Sequence, residues 1–255
     1  MGDVEPFGLL TPTQFLPVSP PQLESDAYAE DFNEVKEEGG RPPSFPGGPF
    51  TDHHRTALLW AGGAGTPYAN VTSAFRLWHN VARNIAEEES LSLVETARLF
   101  ALLTTSIHDS VQTSHTSKFI YRLWRPETAI DQAGIDDNAN TDAEPGWVPL
   151  LTTPPYPSHS SNMTCIGAGA ARALANVFGT DEKSFTATWY ASDTVPPPVV
   201  YSADHESFSS LAQEEGNSRI WGGIHFRFEI DASLESCADI ADYLFANYTQ
   251  PRTPH

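Results

Sequence analysis

Ser92-Leu93-Val94-Glu95-Thr96-Ala97-Arg98-Leu99-Phe100 opens the stretch that decides the fold, which runs on through Leu102, Leu103 and Ile107 to Lys118 and Arg125-Pro126. Ser92 and Glu95 stand three residues apart ahead of an apolar run. That is a capping box: the hydroxyl accepts from a first-turn N–H, and the carboxylate reaches back to the start of the helix. Leu99, Leu102, Leu103 and Ile107 recur at the helical period, so a long apolar helix follows. Working outward, Phe75, Leu77, Trp78, Val81 and Ile85 mark a second helix within 68–88, ending in Glu87-Glu88-Glu89. The Gly/Ala-rich stretch from Gly167 to Phe178, stopped by Gly179, predicts another, and two more are expected near 205–215 and 231–247. No segment shows the alternation of a sheet. The expected fold class is all-α, a helical bundle.

Residues 1–23 are rich in Pro and Thr and have no period, so they read as an extended arm packed on a surface or on a partner. A short acidic helix follows, closed off by the breakers between Gly39 and Pro49. The expected division is therefore an arm with one short helix over 1–50 and a helical domain over 51–255. Residues 131–162, with Asp136-Asp137 and Pro145-Gly146-Trp147, read as a long loop, and loops of that length in compact domains are usually functional or disordered. Pro196-Pro197-Pro198 lies in a further loop.

The 255 residues include 33 acidic and 14 basic side chains, a formal charge of −19. Such a chain repels phosphate backbones and anionic lipid, which argues against nucleic acid and membrane surfaces as partners. No window approaches 18 consecutive apolar residues, and Met1-Gly2-Asp3-Val4-Glu5-Pro6 lacks the pattern of a signal peptide. A soluble chain of open compartment is expected. Cys165 and Cys237 are too few for a disulfide framework and lack metal-ligand spacing, so both are expected as buried small apolar groups. The sequons at Asn70, Asn162 and Asn247 matter only in a secreted chain.

In so acidic a chain the position of each cation is informative. Lysine occurs only at 36, 118 and 183. Lys118 and Arg125 are two helical turns apart, so a helix continued to Pro126 projects both from one face. Cations held side by side repel unless an anion lies between them, the alternative being solvated surface groups. A second cluster spans Ser218-Arg219-Ile220-Trp221-Gly222-Gly223-Ile224-His225-Phe226-Arg227-Phe228-Glu229. Its glycines allow a close backbone approach or a change of direction. Glu229, four residues after His225, is spaced to accept the imidazole Nδ1 proton and leave Nε2 free as ligand or nucleophile.

Together these segments resemble the superfamily of vanadium-dependent haloperoxidases and type 2 phosphatidic acid phosphatases. Its pattern is Lys-x6-Arg-Pro, then Pro-Ser-Gly-His, then Ser-Arg-x5-His-x3-Asp. The first element is complete in Lys118 to Arg125-Pro126, and the third stands as Ser218-Arg219, His225 and Glu229, with Glu in place of Asp. Trp124, the run Thr153-Pro154-Pro155-Tyr156-Pro157 and Gly222 to Phe228 are similar to the bacterial haloperoxidase-like branch, and the resemblance covers residues 8 to 232.

The resemblance implies a bundle of the haloperoxidase/acid phosphatase type. Chains of this family usually carry a further helical segment upstream of the proline-rich stretch, so a compact variant, a trimmed chain, a partner or a second copy of the chain are the ways to account for it. It also implies that Lys118, Arg125 and Arg219 bind the oxygens of vanadate, or of phosphate in the same site. His225 would be the vanadium ligand or a phosphorylated nucleophile, and Glu229 would orient it. The implied substrates are peroxide, halide and an organic acceptor, or a phosphate ester. The leading function is a haloperoxidase-like oxidoreductase; a phosphatase or diphosphate-handling enzyme and a non-catalytic oxyanion binder are the alternatives.

The departure is in the second element. One register reads Pro157-Ser158-His159 as the motif with its glycine deleted, making Ser158 an oxyanion contact and His159 the acid/base. The ungapped register places Ser161, Asn162 and Met163 on Ser-Gly-His and keeps the distance to the following helix, whose N-terminus would bind the anion. Ser161 is then the oxyanion contact, and Met163 transfers no proton. The remaining histidines, His53, His54, His79, His108, His115 and His205, are expected as surface or core residues, the alternative for His108 and His115, which lie near Lys118, being a supporting role beside it.

Overall fold

A computed structural model describes residues 4–43, 45, 50–62, 73–191 and 199–250. Asn70, the Pro46 to Pro49 breakers, the start of the 68–88 segment and Pro196-Pro197-Pro198 lie outside the described residues. In chain order the helices are α1 (Asp26–Glu38), α2 (Asp52–Ala61), α3 (Ala74–Glu88), α4 (Leu93–Tyr121), α5 (Pro126–Asp131) and α6 (Asn162–Phe178). The strands β1 (Phe185–Tyr190) and β2 (Val199–His205) follow, then α7 (Phe208–Ile220) and α8 (Arg227–Asn247).

Helix α4 is the axis, 29 residues long and roughly 43 Å at the α-helical rise. Its capping box forms as expected, with the Ser92 N–H donating to Glu95 at 2.8 Å. The two halves of α4 differ in chemistry. The first buries Leu99, Leu103 and Ile107 against Leu77, Trp78 and Ile85 of α3 and Leu174 of α6. The second buries Asp109, Ser110, Thr113, Ser114, Ser117 and Lys118, all fully. A polar stripe in a core is costly unless it is bonded, so it marks where the fold serves something besides packing. Helix α6 packs close to α4 on small residues: a Cβ at Gly169 would lie 2.6 Å from Ser110 Oγ. A second core joins Tyr28, Phe32 and Val35 of α1 to Ile130, Ile220, Phe226 and Ile230.

The arm lies along the second half of α4 and is gripped through its backbone. Asp109 accepts the N–H groups of Phe7, Gly8 and Leu9 at 2.8, 2.8 and 3.1 Å. Gln112 donates to the Val4 carbonyl at 3.0 Å, Tyr121 to that of Pro17 at 2.7 Å and Ser236 to that of Phe15 at 2.6 Å.

Three expectations are corrected. Helix α4 ends at Tyr121, not at Arg125, because Arg122 adopts a left-handed conformation (φ 52°, ψ 34°) and the residue before Pro126 is excluded from helical backbone. The last two helices begin later and earlier than expected, at 208 and 227. There is also a two-stranded antiparallel hairpin, β1 with β2. Its alternation is present in Phe185-Thr186-Ala187-Thr188-Trp189: Ala187 and Trp189 are fully buried in the main core. Threonines and one alanine make that alternation weak in hydrophobicity, which is why it does not stand out in the sequence. Cys165 and Cys237 are buried and free, as expected.

Candidate functional site

Lys118 projects from the last turn of α4 and is fully buried. Its ammonium donates to the backbone carbonyls of Ser158, at 2.6 Å, and Ser160. The left-handed Arg122 then reverses the chain, so Arg125 arrives as the N-cap of α5 rather than one helical face along from Lys118. The two cations still converge, because both lie against Tyr156, 5.6 and 5.2 Å from its ring centre. Arg125 donates to the carbonyls of Tyr156 (3.0 Å) and Ile224 (2.8 Å) and stands 3.0 Å from His225 Nε2.

The α7–α8 junction supplies the other side. Gly223 takes φ 74°, and a Cβ there would collide with the Gly39 carbonyl, so the turn toward His225 requires glycine. Arg219, in the last turn of α7, donates to Ser218 Oγ at 2.9 Å and to the Ala57 carbonyl of α2 at 3.4 Å. Glu229 caps the start of α8 from within its first turn, and the same carboxylate fixes the state of His225. Its Oε2 accepts the Phe226 N–H at 2.9 Å, the Ser158 hydroxyl at 2.8 Å and His225 Nδ1–H at 3.0 Å. With Nδ1 donating, Nε2 carries the lone pair and accepts from Arg125.

The electrostatics follow from burial. Removal from water pushes Lys118 down to about 7, with Arg125 beside it adding to the effect. Arg219 is pushed down to about 10 by burial, against the favourable pull of Glu215. Burial holds His225 well below its ordinary value, and Arg125, Lys118 and Arg219 push the same way, so the ring is neutral at pH 7. Burial raises Glu229 while the surrounding cations oppose it. A group of buried cations carrying lowered pKa values is one that gains by binding an anion.

The remaining expected residues are placed differently. His159 is fully buried, but its Nε2 bonds to the Val18 carbonyl of the arm at 2.9 Å, and its ring packs on Tyr121 and Phe228. Ser158 gives its hydroxyl to Glu229 and its carbonyl to Lys118. Ser161 caps α6, and its hydroxyl accepts from Thr164 Oγ1 at 2.8 Å. Met163, in the first turn of α6, lines the same cavity as Arg219. His108 bonds to Asp109 at 2.9 Å and faces the arm, whereas His115 bonds to Asn162 at the start of α6 at 3.3 Å.

Known proteins add to this geometry. The family profile described as the VCPO second helical-bundle domain matches residues 98–253, more than half of the chain. The chain belongs to this family. Among solved structures, a bacterial vanadium-dependent iodoperoxidase is similar over 94% of this chain and 55% of its own, at 28% identity and a TM-score of 0.72. Apo and holo bacterial vanadium-dependent chloroperoxidases align at 14% identity with TM-scores of 0.71 and 0.68, over 96% of this chain and 54% and 53% of theirs. The chain thus spans about half the length of these structures. No curated protein sequence matches it. As a VCPO second helical-bundle domain it falls in the bacterial branch of the vanadium-dependent haloperoxidase superfamily.

The residues of this VCPO domain fit an oxyanion such as vanadate. Among the described residues, Arg125 Nη2 is buried without a hydrogen-bond partner and the His225 Nε2 lone pair is met by the adjacent Arg125 Nη1 alone. Among the described residues no cluster of three or more His, Cys, Asp or Glu could hold a bare metal ion. A group held by cations around its oxygens and by one imidazole needs no such cluster. Nor, among those residues, is any helix long and apolar enough to cross a membrane.

Two residues of this domain are missed in the sequence reading. Glu215, one turn before Arg219, is fully buried, accepts from Trp78 Nε1 at 2.8 Å and is pushed by burial up to about 8. The i, i+4 spacing from Arg219 is a signal that could have found it. Tyr156 sits under both Lys118 and Arg125, and only its place in the Pro-rich run hints at that.

Proposed function

We propose that this chain forms the oxyanion-binding bundle of a vanadium-dependent haloperoxidase-like enzyme, which oxidises halide with hydrogen peroxide. The observation that supports this best is the state of His225: Nδ1–H is committed to Glu229, and Nε2 carries its lone pair beside Arg125. In this reading Lys118, Arg125 and Arg219 neutralise the vanadate oxygens, and His225 Nε2 is the vanadium ligand. Bound vanadate supplies the activation of peroxide toward halide. Glu229 fixes the ring and its tautomer, and the carbonyls of Ser158 and Ser160 hold the Lys118 ammonium in place. Fixed donors of this kind favour negative charge at little reorganisation cost.

Met163 favours a second reading, because in the first turn of α6 it puts a thioether, which carries no proton, beside Arg219. On this reading the chain binds vanadate or phosphate without turning over. One preparation tests both. After vanadate loading and desalting, metal analysis should give about one vanadium per chain, and iodide and bromide oxidation should depend on it. Binding without halide oxidation, and without p-nitrophenyl phosphate hydrolysis, selects the second reading; p-nitrophenyl phosphate hydrolysis alone selects a phosphatase; no vanadium retained and no phosphate bound removes all three.

A further inference from the structure

Beside Arg219 opens a cavity of about 580 Å³, within the range of roughly 300–1,000 Å³ typical of small-molecule sites. Met163 and Arg219 form one side, Trp60, Phe75 and Leu151 supply apolar walls, and Arg41 joins the lining from the segment after α1. Among the described lining residues none is acidic, in a chain with 33 acidic and 14 basic side chains. The described side chains that line it therefore carry a net positive charge, opposite in sign to that of the chain as a whole. An anion repelled from most of the surface is attracted here.

Arg41 is held for such a role. Its Nε donates to the Pro149 carbonyl at 3.2 Å, and its guanidinium lies over the Phe45 ring at 4.9 Å. Both contacts fix the plane of the fork. Among the described residues no carboxylate pairs with it and no acceptor engages its terminal nitrogens, which are the atoms suited to a bidentate acid.

We infer that this cavity binds an organic anion: a ring-sized apolar body between Trp60, Phe75 and Leu151, an acidic group on Arg41, and the reacting end toward Arg219. The inference rests on the oxyanion reading of Arg219 and adds the class of molecule that meets it. The same chemistry describes an organic acceptor lying beside a bound oxyanion and the organic part of an ester whose phosphoryl group occupies the oxyanion position.

Calorimetric titration of the whole chain with a graded set of probes tests it. Inorganic phosphate and methylphosphonate report the oxyanion position alone. Phenylphosphonate should bind about tenfold more tightly than methylphosphonate, the gain from burying one ring. A carboxylated phenylphosphonate should gain a further two- to fivefold from a partly exposed ion pair. Arg41→Gln should abolish only that second gain. Ser73→Trp, at the exposed N-cap of α3 where the serine makes no capping bond, should narrow the cavity and abolish the first, with inorganic phosphate unaffected. Binding of phenylacetate to the vanadate-loaded chain identifies the ligand as an acceptor, whereas phenylphosphonate competing with vanadate while phenylacetate does not bind identifies it as an ester. Equal affinity for methyl- and phenylphosphonate in a chain that binds phosphate overturns the cavity assignment and leaves the oxyanion reading standing. Failure to bind any of the oxyanions removes both.

Discussion

The α7–α8 junction and the loop leading into α6 approach the same cations from opposite sides and are built in different ways. At the junction the contacts are made by side chains with defined protonation: Arg219, a neutral His225 and the Glu229 that holds it. On the loop side the contacts to Lys118 are backbone carbonyls, His159 is bonded to the arm, and Met163 occupies the first turn of the helix. The difference teaches that binding a tetrahedral anion and moving protons at it are separable properties. The first needs fixed charge and donors, which the junction presents and the loop side supports by holding the Lys118 ammonium in place; the second needs a group that titrates, which Met163 is not.

Restoring such a group is the largest expected perturbation. Met163→His puts an imidazole beside Arg219, and halide oxidation by the vanadate-loaded variant should rise by roughly 10²–10⁴, the usual span of general acid–base catalysis. An unchanged rate at full vanadium occupancy would show that the missing proton carrier is not what separates the two sides. Next in size is Arg219→Met, which removes a buried cation from the junction. Vanadate affinity, read by equilibrium dialysis, should fall about 10²–10³-fold, comparable to the loss of one donor to a developing oxyanion. A change under threefold would mean that the anion sits elsewhere.

Glu229→Gln keeps the shape and removes the charge that orients His225. Affinity for vanadate should drop by about tenfold or more, as losses of outer hydrogen-bond partners do at metal sites. A comparable effect comes from pH. On the proposed reading the anion is bound by the charged ammonium, and Lys118 is pushed down to about 7, so deprotonation on raising the pH should remove binding. Between pH 6 and 8 sulfate affinity should fall by about tenfold, tracking the charged fraction. Sulfate keeps its own charge over this range, and Lys118→Met should flatten the profile while lowering it. The smallest effect is expected from His159→Asn. Losing the bond to Val18 should cost about 1 kcal/mol of stability in denaturant unfolding, with vanadate affinity and halide oxidation unchanged. A large loss of turnover would instead restore His159 as the acid/base and reverse the comparison.

The helices and the grouping of Lys118, Arg125, Arg219 and His225 were legible because each rests on local chemistry: a cap, a period, a carboxylate four residues from an imidazole. What escaped depends on long-range or backbone events. The left-handed turn at Arg122 has no side-chain signature, since arginine rarely adopts it, yet it alone decides how Lys118 and Arg125 meet. The direction of His159 is set by Val18, 141 positions away in sequence. The hairpin was hidden because its alternating residues are small or weakly apolar. Glu215 reads as one of two adjacent surface glutamates until Trp78, from another helix, is found donating to it.

Asp109 holds the arm by the amides of residues 7–9 and makes no use of their side chains. The information that places the strap is therefore stored about a hundred positions away from it. Leu10, 81% exposed, is free to be rewritten to carry a dye or a tag without loosening it, whereas the Phe7 ring packs edge-on against His108 at 4.7 Å. Gly8 and Leu9 are the exceptions, since a Cβ at Gly8 would strike Leu244 and Leu9 is buried among Cys165, Ile240 and Leu244. A mutational scan across this region should accordingly find tolerance at Leu10, intolerance at Gly8 and Leu9, and intolerance at one aspartate in the middle of the longest described helix.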